Sequence, residues 1–244
     1  MIRNIFLADN EFAISLREEC KEITNYAIRH EYRLPGTSCE SVTTEQPDQA
    51  PADANPFPAD VNALHGIILN KYLDIVGERN GDARSIDTVS RYAGDVAAWM
   101  LAEKRKPGLM IVGDVGTGKT TLMKAVVRTF ADYKKRAEML SACDIRDYAV
   151  NRDTAGEYGR LKKYVPILAI DDLGTEGATF KDYGNALHPM AELIAARYDN
   201  NAPTFITTNL TMTDISEQYG KRMRDRLAEM CHVVRFEDAP SFRV

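Results

Sequence analysis

Two hydrophobic rhythms divide the chain. Before about residue 104, apolar positions recur at helical steps. Leu16, Cys20, Ile23, Ala27 and His30 follow one another at intervals of four and three, which predicts an amphipathic helix over 11–32. Residues 61–79 read as a second helix. "NGDARS" breaks it, and a third runs from about Ile86 to Lys104 with Val89, Ala93, Val96 and Met100 on one face. After residue 107, short apolar runs alternate with helical stretches. The runs 108–112, 137–142, 165–170, 203–208 and 232–236 predict strands, with helices starting near Lys119, Asp144, Asp182 and Thr213. Such alternation predicts an α/β fold: a parallel sheet covered on both faces and joined by right-handed crossovers.

Composition sharpens the boundaries. Half of the ten prolines fall in 35–60, among Ser, Thr, Gln and Asp, so that segment reads as a flexible linker without a core of its own. The expected order is a helical region 1–34, the linker 35–60, a connecting helix 61–85 and a main domain 86–244. With 44% hydrophobic and 27% charged residues the chain has the balance of a soluble globular protein. It contains no run of about 18 apolar residues that would predict a membrane span. Its first residues lack the apolar core and cleavage site of a secretory signal. Cys20, Cys39, Cys143 and Cys231 follow neither metal nor disulfide spacing, so a reducing, cytoplasmic setting is expected. The net charge of −5 excludes a protein that coats nucleic acid with its whole surface. Residues 102–164 nevertheless carry 14 Lys/Arg against 8 Asp/Glu, between acidic flanks, which allows one local polyanion site.

The chemistry begins at "GDVGTGKTT". Gly113, Gly118, Lys119 and Thr120 fit G-x-x-x-x-G-K-[ST], preceded by a predicted strand and followed by a predicted helix. Gly113, Asp114, Val115, Gly116, Thr117, Gly118, Lys119, Thr120 and Thr121 would form a loop whose N–H groups, with the positive helix end, favour phosphate. Lys119 would reach the β- and γ-phosphates of ATP and Thr120 would hold Mg²⁺. A buried strand then ends in Asp171 and Asp172. One carboxylate at that edge can bind Mg²⁺ and the next can orient an attacking water. Together these two motifs predict an NTPase. Asn209, at the end of "TFITTN", would point at the γ-phosphate. Lys221, Arg222, Arg224 and Arg226 crowd one helix, and Arg222 and Arg226, four apart, share a face. An arginine there could complete a neighbouring subunit's nucleotide site.

The ordered set "GDVGTGKT", "LAIDDLG", "LIAARYDNNAPTFITTNL" and "YGKRMRDRLAEMCHVVRFEDAPSFR" resembles the DnaC/IstB family of AAA+ ATPases, over roughly residues 86–244. That family comprises bacterial helicase loaders and the ATPase helpers of certain transposons. The resemblance implies a three-layer αβα AAA+ fold with a five-stranded parallel sheet in the order 5-1-4-3-2 and a short ending without the helical lid. It implies Walker A at Gly113–Thr120, with Asp171 as the Walker B magnesium residue and Asp172 as the residue that positions water. It further implies sensor 1 at Asn209, an arginine finger acting in trans at Arg226 and sensor 2 at Arg243. Asp at 172, shorter than Glu, implies slow hydrolysis.

The resemblance also places a DNA-contacting element at 143–164. Arg146, Arg152, Arg160, Lys162 and Lys163 supply cations for phosphates there, with Tyr148, Tyr158 and Tyr164 interleaved for stacking on single-stranded DNA. The implied partners are a replicative helicase, gripped through the N-terminal region, or alternatively a transposase, together with further copies of the chain joined through their ATP sites. Two readings from other classes compete: a small-molecule kinase, for which no acceptor site is evident, and a nucleotide switch with negligible turnover.

Overall fold

The computed structural model describes residues 56–78, 86–177, 180–182 and 185–236. The expected helix over 11–32, nearly all of the linker, and Arg243 lie outside the described residues. Among the described residues eight α-helices follow in chain order: α1 (Val61–Glu78), α2 (Ile86–Leu101), α3 (Lys119–Asp132), α4 (Ala142–Val150), α5 (Ala155–Lys163), α6 (Pro189–Asp199), α7 (Met212–Tyr219) and α8 (Lys221–Met230). The strands are β1 (Gly108–Gly113), β2 (Ala137–Ser141), β3 (Ile167–Leu173), β4 (Phe180–Asp182), β5 (Asn185–Leu187), β6 (Thr204–Thr208) and β7 (Cys231–Phe236).

Five strands form one sheet in the order β2-β3-β6-β1-β7, and every pair in it is parallel. Counted without the separate β4–β5 hairpin, this is the expected 5-1-4-3-2. The strands lie between two helical layers, so consecutive residues feed opposite cores. Leu109, Ile111, Ile167, Ala169 and Phe205 pack towards α1, α2 and α3. Met110, Leu168, Ile170 and Ile206 pack towards α4 to α8.

Local chemistry fixes the helix starts. Ser141 and Asp144 form a capping box at α4, and Thr211 and Asp214 form another at α7. The helix expected from Asp182 begins instead at Pro189, after the antiparallel β4–β5 hairpin. Proline suits the first turn of a helix, whereas inside one it would clash with the preceding turn and disfavour helix at the residue before it. The packed body also starts earlier than the expected boundary at 86. Phe57 and the buried face of α1 (Leu64, Ile68, Leu69, Tyr72) share the first core with α2 and α3.

Arg197 on α6 is completely buried. Its guanidinium donates to the carbonyls of Leu161 (2.7 Å), Val165 (3.0 Å) and Pro203 (2.7 Å) and to the Thr204 hydroxyl (2.8 Å). Burial pushes its pKa down to about 10, so it remains a cation at neutral pH. It ties α5, α6 and the start of β6 together. Arg197→Ala would take the guanidinium partner from the buried Leu161 and Val165 carbonyls and open a cavity, and should cost about 3–5 kcal/mol in urea unfolding. Lys at 197 should not recover the loss, because one ammonium cannot reproduce the fork of donors.

Candidate functional site

In a parallel sheet, loops leaving the carboxyl ends of the strands converge on one edge. Here that edge gathers the glycine loop after β1, the end of β3 and the end of β6, because β6 lies between β1 and β3. Gly116 and Gly118 adopt positive φ of 86° and 90°, a conformation that glycine takes without a Cβ penalty. Gly118 heads α3, and no side chain caps that helix. The first-turn N–H groups and the helix dipole therefore point into the loop, the arrangement an anion requires. Gly113 is required for a different reason: a Cβ there would lie 2.6 Å from the Phe236 Cβ on the neighbouring β7.

Lys119 is nearly buried, and its ammonium donates to the Asp114 carbonyl at 2.6 Å. The Thr117 hydroxyl donates to the same oxygen at 2.9 Å, so the loop is braced from within. Val115 stands exposed at the crest of the loop. The Thr120 hydroxyl donates to Asp171 Oδ1 at 2.9 Å, bringing the two predicted metal residues together from elements 51 positions apart. A hydroxyl and a carboxylate are hard oxygen donors of the kind that hold Mg²⁺ alongside phosphate oxygens and water. Among the described residues no cluster of three or more His, Cys, Asp or Glu is placed to hold a metal by itself. The loop and this donor pair fit ATP with Mg²⁺.

Asp172 has a positive φ of 56°. The β3–β6 register slips between Ile170 and Leu173, so Asp171 and Asp172 occupy an irregularity opposite Thr207. Such bulges re-aim side chains beside active sites. Asn209 is exposed, one residue past the end of β6 and beyond the same edge.

Arg226 lies elsewhere. Its guanidinium is 3.9 Å from Asp199 and 5.6 Å from the Tyr198 ring centre, at the carboxyl end of α6. That end leads into the start of β6, so Arg226 sits towards the sheet edge opposite the phosphate-type loop. It is not grouped with this chain's own Lys119, Thr120 and Asp171.

The five candidate DNA cations are dispersed over α4, the short 3-10 turn 152–154 and α5. Arg160 makes a two-pronged pair with Glu138 (2.7 and 2.9 Å) and also reaches Glu157. Lys162 pairs with Glu192 at 2.8 Å, and Arg146 with Asp147 at 2.6 Å. Arg152 and Lys163 are exposed. Tyr158 does not present a stacking face: it is buried, donates to the Pro189 carbonyl at 2.6 Å, and Lys162 covers its ring at 4.4 Å. Tyr164, at 76% exposure, is the available aromatic of the three, since Tyr148 packs against the second core.

Two residues absent from the sequence reading join this edge. Glu176 is buried, accepting from the Gly174 N–H at 2.9 Å and from the Tyr219 hydroxyl. It anchors the turn leaving Asp172 to the end of α7, just before Gly220 and α8. A single acid in a polar loop carries no signal for such a role. Thr207 is fully buried and bonded to both acids. Period-two alternation, which puts its hydroxyl on the buried Phe205 face of β6, marks the residue but not its bond to Asp172.

The strand order, with a glycine loop after the first strand and acids closing the third, defines a P-loop protein of the AAA+ fold. Among solved structures, that of DnaI superposes with a TM-score of 0.52 at 23% identity, covering 72% of this chain and 92% of that one. A candidate primosome component from Streptococcus pyogenes serotype M3 gives 0.50 at 21% identity, over 65% and 84% of the two chains. No protein-family model matches the sequence, and no curated protein matches it either.

Proposed function

We propose that this chain is an ATP-hydrolysing AAA+ protein that assembles through shared ATP sites and loads a replicative helicase onto single-stranded DNA. The observation that carries the nucleotide reading is the convergence of Lys119, Thr120, Asp171 and Asp172 on one sheet edge, beside an uncapped helix N-terminus. The loop N–H groups and Lys119 would bind the phosphates. Thr120 and Asp171 would hold Mg²⁺, which supplies charge neutralisation when bound. Asp172 would orient the attacking water, and Asn209 would report on the γ-phosphate. Arg226, remote from this chain's own loop, would act on the nucleotide of an adjacent copy. The kinase reading gives no role to such an arginine.

The helicase and DNA roles rest on the family resemblance of the motifs and on the likeness to DnaI and a candidate primosome component. No observation favours a transposase partner. Single-stranded DNA would cross α4 and α5 near Arg152, Lys163 and Tyr164, the exposed members of the candidate set. The test is loading of the source cell's replicative helicase onto circular single-stranded DNA by the purified full chain. ATP-dependent loading supports the proposal. No complex with that helicase, with or without ATP, would remove the helicase from the account.

A further inference from the structure

We infer that Thr207 is a positioning residue for the candidate ATP site, holding the Mg²⁺ carboxylate and the water-orienting carboxylate in register through one hydroxyl. The inference rests on the ATP reading above and assigns a role to a residue outside the motifs that prompted it. Thr207 stands on β6 opposite the point where β3 slips its register. Two residues, Asp171 and Asp172, occupy the length there that would normally face one, so a regular ladder cannot satisfy the Asp172 N–H. The Thr207 hydroxyl fills the gap. It accepts from the Asp172 N–H at 2.8 Å and donates to Asp171 Oδ1 at 2.6 Å.

Each bond has a separate consequence. The first pins the backbone of Asp172 at φ 56°, a left-handed conformation that is disfavoured for a residue with a Cβ and is held by its neighbours. That conformation sets where the Asp172 carboxylate points. The second bond fixes the Asp171 carboxylate from the sheet side while Thr120 holds the same oxygen from α3 at 2.9 Å. Outer partners of this kind orient the groups that touch a metal. Because the hydroxyl gives its proton to Asp171, its lone pair is oriented to receive the Asp172 N–H, so the two bonds reinforce each other. Thr207 is completely buried, and water cannot replace it.

Thr207→Val keeps the shape and removes both bonds. Thr207→Ser keeps the hydroxyl and removes a methyl group. A packing role would favour Val; a positioning role favours Ser. The experiment uses the full chain with mant-ATP and Mg²⁺. For T207V we expect mant-ATP binding in EDTA within twofold of the unsubstituted protein. The Mg²⁺ concentration that half-saturates the change in mant-ATP fluorescence should rise, and kcat should fall, each by about tenfold or more, with KM for ATP nearly unchanged. T207S should restore both within about threefold. Thr207→Ala serves as a second hydroxyl-free variant should Val lower Tm, and must show the same Mg²⁺ shift. A T207V protein with unaltered Mg²⁺ dependence and kcat, or a T207S protein no better than T207V, overturns the inference while leaving the ATP reading intact. An unsubstituted chain that binds no mant-ATP overturns both.

Discussion

Lys119→Ala should abolish ATP hydrolysis and weaken ATP binding by about 10²-fold or more while leaving the fold standing. The lysine is nearly buried, with its ammonium lying across the loop on the Asp114 carbonyl. That contact is a local brace. The two glycines in left-handed conformation and the α3 start shape the loop independently of it. Removing the ammonium takes away a cation that would bridge two phosphates. At about 3 kcal/mol for the charge-assisted bonds, the loss corresponds to roughly two decades of affinity. Titration with mant-ATP measures it, and an unfolding midpoint close to that of the unsubstituted chain separates it from collapse.

Arg226→Ala should behave differently, leaving ATP binding unchanged and removing only the hydrolysis that depends on assembly. The guanidinium rests beside Asp199 and Tyr198, towards the sheet edge away from its own loop. Its ion pair is long and half-exposed, so it contributes little to stability. Released from Asp199, it could reach across a junction. Arginine fingers supplied in trans are worth about 10³-fold or more in rate. The specific activity of the unsubstituted protein should therefore climb with protein concentration, and that of R226A should stay flat at the dilute value. Normal concentration dependence in R226A would transfer the role to another cation, with Arg222, one turn earlier on α8, the first to examine.

Legibility from sequence followed the physics of each segment. The five sheet strands were readable to within three residues: β1, β3 and β6, central in the sheet, are mostly buried apolar-rich runs between turn residues, and the edge strands β2 and β7, only partly buried, still carry short apolar runs. Their order followed from the family resemblance of the motifs, since nothing in periodicity places β6 between β1 and β3. The β4–β5 hairpin was missed because its strands are three residues each and carry no apolar alternation. The sequence-based helix start ran through Pro189, where the proline should have halted it. The meeting of Thr120 with Asp171 beside the glycine loop was legible because the two motifs confine residue types at fixed spacing. The brace on Asp172 was not, because it depends on a register slip that exists only once β3 and β6 pair. The basic stretch 143–164 shows the opposite failure. Its cations were visible, but their carboxylate partners Glu138 and Glu192 come from other elements and withdraw Arg160 and Lys162 into ion pairs.

In the proposed assembly the phosphate loop of one copy is completed by Arg226 of the next. Mixing K119A and R226A proteins tests it most directly. K119A brings an intact arginine to a loop that binds ATP weakly and cannot hydrolyse it, and R226A brings an intact loop without the arginine, so either protein alone is inactive in assembly-dependent hydrolysis. The account predicts that equimolar mixtures recover a substantial fraction of the unsubstituted rate, through junctions that pair an R226A loop with a K119A arginine. Mixtures no more active than the sum of their parts, at concentrations where the unsubstituted protein shows its full rate, would contradict it.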